Sequence, residues 1–105
     1  MPGESRDMIR IELAARIAAL DVRAPYAAVS DMAAEVDAIR RIAHRHGMAP
    51  AVTVAHFLDH ALARGERGPL LHGWLAMLDE AVASGRDDLD AAHAFAAACS
   101  VRLAA

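Results

Sequence analysis

The sequence predicts an all-α fold, an antiparallel bundle of four to five amphipathic helices in a single domain over residues 1–105. Two observations carry the prediction. Apolar residues recur three and four positions apart through each long stretch, so that they share one helix face. Gly and Pro divide the chain into segments of helical length joined by short connections, which place successive helices side by side.

The first helix is expected from about Asp7 to Leu20, after a disordered N-terminus at residues 1–6, with Ile9, Leu13, Ile17 and Leu20 on one stripe. Its opening, Ile9-Arg10-Ile11-Glu12-Leu13, also alternates as a strand would, and the Ala-rich continuation to Leu20 decides for helix. The second starts near Pro25, a favoured first-turn residue, and ends at Gly47 as a C-terminal cap. A break near Val29-Ser30-Asp31 is an alternative start, with Ser30 or Asp31 as N-cap. Val29, Met32, Val36, Ile39 and Ala43 form its seam, with His46 on the flank.

The third helix follows Ala49-Pro50, stops at Gly65 and turns Val54, Phe57, Leu58, Ala61 and Leu62 inward. The fourth, Pro69 to about Ser84, places Leu70, Leu71, Trp74, Leu75, Met77, Leu78, Ala81 and Val82 on one side and His72, Asp79 and Glu80 on the other. The fifth opens with Asp87 or Asp88 as cap and buries Leu89, Ala92, Ala96, Cys99 and Leu103.

Composition narrows the function. Alanine supplies 27 of the 105 residues, leaving 31 larger apolar side chains. At roughly 1.5–3 kcal/mol for each full burial these support a compact domain with little margin over chain entropy. Self-association as a homodimer is the expected remedy. Lys, Asn and Gln are absent and all eleven basic residues are Arg, which points to a GC-rich bacterial genome. A net charge of −3 with scattered acidic residues argues against nonspecific nucleic-acid binding and against a basic membrane-surface helix. The lone Cys99, in an alanine run, reads as a small buried hydrophobe. With no secretory h-region and no apolar segment near 20 residues, the expectation is a cytoplasmic protein with no membrane span.

Chemistry is hinted at in one place. His44, His46, His56 and His60 lie within seventeen residues, and the run His56-Phe57-Leu58-Asp59-His60 puts two imidazoles one turn apart. His56, Asp59 and His60 are the candidate metal ligands, though a useful site needs a further donor and acceptors to orient the rings. The wheel turns His56 and His60 away from the apolar face, so ordinary surface imidazoles are the competing reading. The string resembles the His-x-x-Glu-His motif of inverted zinc peptidases with Asp in place of Glu. That resemblance covers five residues, shortens the base, and leaves no room for the domain such an enzyme needs.

No Gly-x-Ser-x-Gly elbow or Gly-rich phosphate loop is present, so neither enzyme activity nor a cofactor is expected. The leading expectation is a non-enzymatic protein-interaction or regulatory module. Leu71, Trp74, Leu75 and Leu78 read as core, and as the interface candidates should part of their face stay uncovered. An alternative is a helix-turn-helix nucleic-acid binder built from Asp37 to Arg45, the turn at Gly47, and Ala51 to Arg64. Its recognition helix carries Asp59 and has Arg64 as its lone basic side chain, at the wrong end for base readout.

Overall fold

The computed structural model describes residues 2–104. Among these it contains five α-helices and no strand: α1 (Pro2–Arg23), α2 (Val29–Arg45), α3 (Ala49–Ala63), α4 (Pro69–Ala83) and α5 (Leu89–Ala104). The all-α bundle expected from the sequence is therefore the fold. Helices α1, α2, α3 and α4 close a ring, each touching the next and α4 touching α1. Helix α5 lies on α3, which is thereby covered by α2, α4 and α5. The core follows from this arrangement: Leu13, Leu20, Met32, Val36, Ile39, Val54, Leu58, Trp74 and Leu78 are wholly buried.

Two boundaries differ from the sequence reading. Helix α1 begins at Pro2 and ends at Arg23, longer at both ends than the span Asp7 to Leu20. The expected disordered tail thus meets a helix from Pro2 onward, and Met1 lies outside the described residues. The extension is anchored by Arg6, which forms an ion pair with Asp87 and donates to the His46 carbonyl at 2.8 Å. Helix α2 starts at Val29 and not near Pro25. The Arg23 carbonyl accepts from the N–H groups of Tyr26 and Ala27 and so closes α1, leaving Pro25 in the connection. Neither Ser30 nor Asp31 caps α2, whose N-cap is Ala28 with no side-chain bond.

The helix ends otherwise obey local chemistry. Gly47, at φ +69°, adopts the left-handed conformation that a residue with a Cβ resists. It donates to the His44 carbonyl at 3.1 Å, and Met48 donates to that of Ala43 at 2.9 Å. These two bonds satisfy carbonyls that the end of α2 would otherwise strand. The same pair recurs after α3, from Gly65 to Leu62 and from Glu66 to Ala61. Asp88 caps α5 by accepting from the Ala91 N–H at 3.4 Å, while Asp87 is taken up by Arg6.

Arg102 fastens α5 to α4. Its guanidinium lies 5.3 Å from the Trp74 ring centroid and donates to the Leu70 carbonyl at 2.9 Å. A Cβ at Gly73 would stand 1.8 Å from that guanidinium, so the glycine inside α4 makes room for the crossing arginine. The other edge of Trp74 is held by its indole N–H, which donates to Glu66 at 2.8 Å. A buried indole thus has its polar atom satisfied.

Candidate functional site

The histidine cluster disperses over the surface. His56 and His60 are exposed on α3, as the wheel requires, with ring centroids 4.7 Å apart in an edge-to-face arrangement. Asp59, between them in the sequence, is less exposed. It is half-buried against α2, where burial, and then the charge of Asp37, push its carboxyl above the ordinary range. Arg40 opposes that rise while its hydrogen bond to Asp37 holds the latter's carboxyl low. The charges of His56 and His60 oppose the rise in the same sense. Among the described residues no three side chains of His, Cys, Asp and Glu gather into a group able to hold a metal ion.

The other histidines separate further. His44 and His93, from α2 and α5, line one largely apolar cleft of about 420 Å³ with Met48, Val52 and Leu89. His46 makes its contact through its backbone carbonyl, taken by Arg6. His72 pairs with Asp21 of α1 across an open groove between α1 and α4.

The core reading of the four α4 residues holds, and the uncovered face that would have made them an interface is not there. Leu71, Trp74, Leu75 and Leu78 expose 2% of their surface or less, because α1 and α3 both pack on this helix. They are core. Leu70, by contrast, stands outside the core face assigned to it and is 56% exposed, as is Leu89 at 71%. The helix-turn-helix geometry suffers from the same closure. Pro50 and Ala51, at the end of α3 that would enter a groove, are buried, and Val52 and Thr53 are half-buried.

Besides Val29, Leu70, Leu89 and Val101, the large apolar side chains left exposed among the described residues lie on or just past the outer side of α1. Met8 and Ile11 are each 70% exposed and Val22 is 75% exposed. With the exposed Ala15 and Ala18 they fall at spacings of 3, 4, 3 and 4 residues, a continuous apolar line down the helix. Tyr26, 88% exposed, extends it past the helix end. This line is diametrically opposite the buried stripe of Leu13, Ile17 and Leu20, so α1 has two apolar faces. The signal was present in the sequence as the strand-like alternation of Ile9, Ile11 and Leu13. Alternate residues there serve opposite sides of one helix.

Comparison of the chain with protein-family models, with curated proteins and with solved structures found no match. The surface itself therefore supplies the argument for function. Single exposed apolar residues are unremarkable on any protein, and this line differs from them in following one helix face. Its heptad spacing is that of a helix packed lengthwise on another helix.

Proposed function

We propose that this chain is a non-enzymatic interaction module of the bacterial cytoplasm that works by laying the outer face of α1 against another helix. The observation that carries the reading is the exposed line of Met8, Ile11, Ala15, Ala18 and Val22, set opposite the core stripe of the same helix. The expected homodimer is one form of this contact. Ion pairs support the non-enzymatic part, since Asp37 is engaged by Arg40 and Arg41 and His72 by Asp21.

The test is a photo-activated benzophenone side chain placed at Ile11 in cells expressing the protein, with His56 as the control position. Irradiation is expected to yield a discrete adduct from Ile11 and none from His56. Adducts absent at Ile11, or equally abundant at both positions, would overturn the reading. The mass of the adduct separates a second copy, at twice 11.1 kDa, from any other protein.

A further inference from the structure

We infer that the groove between α1 and α2 binds a small organic phosphate. This site is separate from the α1 contact proposed above. Charge first singles it out. The chain carries fourteen acidic residues to eleven arginines, yet Arg16, Arg41 and Arg45 line this groove against one acid, Glu12. Positive charge gathered in one groove of an acidic protein is a local arrangement, and it raises the concentration of anions there. The groove has a volume of about 530 Å³. It stays open because α1 and α2 make the lightest contact in the ring of helices.

The three guanidiniums differ in what already engages them. Arg16 is held by Glu35 at 2.8 Å and by Glu12 at 3.7 Å, so its charge is balanced and its position fixed. Arg41 lies 3.6 Å from Asp37, beyond hydrogen-bonding reach, and shares that carboxylate with Arg40. Among the described residues Arg45 enters no ion pair. Uncompensated charge therefore sits on Arg41 and Arg45, one turn apart on one face of α2, with Arg16 across the groove on α1. This arrangement selects the ligand. A single guanidinium fork satisfies a planar carboxylate, whereas donors reaching in from two helices suit the several oxygens of a tetrahedral phosphate. Ile9, Ala38 and Ile42 line the same groove and offer an apolar wall to the rest of the molecule. A concave site that combines an apolar wall with a few placed charges is the usual form of a small-molecule pocket.

Calorimetric titration of the purified full chain with inorganic pyrophosphate at low ionic strength tests the site, with citrate as a polycarboxylate of comparable charge. Pyrophosphate is expected to saturate at one equivalent and to bind more tightly than citrate. Arg41→Ala and Arg45→Ala should each weaken it roughly tenfold, the loss of one charge-assisted contact, with unchanged circular dichroism spectra. Arg67→Ala, which removes an exposed guanidinium from the loop before α4, should leave the affinity as in wild type. Amide shifts in the NMR spectrum should fall on residues of the groove, Glu12, Ile42 and Arg45 among them. Absence of saturable binding, or binding that survives Arg41→Ala and Arg45→Ala together, would overturn the site. Equal losses in Arg67→Ala would overturn it as well, because they would reduce the effect to overall charge. Citrate bound as tightly as pyrophosphate, with the same arginine dependence, would overturn the phosphate as ligand. A short DNA duplex bound more tightly than pyrophosphate and lost with the same two variants would replace the small molecule with a nucleic-acid backbone.

Discussion

Cys99 shows how a single side chain reports on packing. It is wholly buried on α5, with its Sγ 3.3 Å from the Met77 Sδ, and burial pushes the thiol up from 9.0 to about 11, against the opposing charge of Arg102. The folded state therefore holds this proton more tightly than the unfolded chain. The associated stability is complete below about pH 9 and is lost as pH rises through about 11, a change of about 3 kcal/mol. Urea denaturation between pH 8 and 11 should show this loss in wild type and a shallower one in Cys99→Ala. Thiol reagents at neutral pH should label the native protein far more slowly than the unfolded one. A comparable local dependence ties Gly73 to Arg102. Gly73→Ala gains helix propensity of about 1 kcal/mol but displaces the guanidinium from Trp74 and the Leu70 carbonyl. In an Arg102→Ala background the displacement has no cost. Gly73→Ala should accordingly be more favourable there, by about 0.5–1.5 kcal/mol in a double-mutant cycle.

At the level of elements, α3 is the structural centre because three helices rest on it. Ala51 and Ala55, absent from its expected apolar face, are buried alongside Val54, Leu58 and Leu62. Alanine is ambiguous in a sequence, equally suited to water and to a close helix contact, so the width of this face could be read only after α5 was in place. Leu58, wholly buried among these helices, should lose about 2–5 kcal/mol on truncation to alanine. Thermal denaturation of Leu58→Ala against Leu70→Ala, which removes an exposed side chain, provides the comparison. The helix ends divided in the same way. Gly47 and Gly65 end their helices as expected, since a positive φ restricts the choice of residue. Starts were legible where proline marks the first turn, as at Ala49-Pro50 of α3 and Pro69 of α4, and not at α2, which opens at Val29 with neither a first-turn proline nor a side-chain cap.

For the whole molecule, the closed ring of four helices covers the Trp74 face and leaves one long apolar line at its edge on α1. If a second copy covers that line, dimerisation adds to folding by mass action. Raising the protein concentration from about 10 µM to 1 mM should then raise the Tm by about 4–8 °C for each kcal/mol of linkage. Scanning calorimetry should find this dependence abolished in Ile11→Glu. The sequence by itself determined the helical class, most of the inward stripes, two glycine caps and the outward pair His56 and His60. These are properties of spacing along one helix and of backbone sterics, both local. Only the tertiary structure decided that Asp59 is half-buried, that Leu71, Trp74, Leu75 and Leu78 are sealed, and that Met8, Ile11 and Val22 are not. Whether an apolar face meets a neighbour depends on where the other helices lie, and a helix with two such faces does not itself say which one the fold will use.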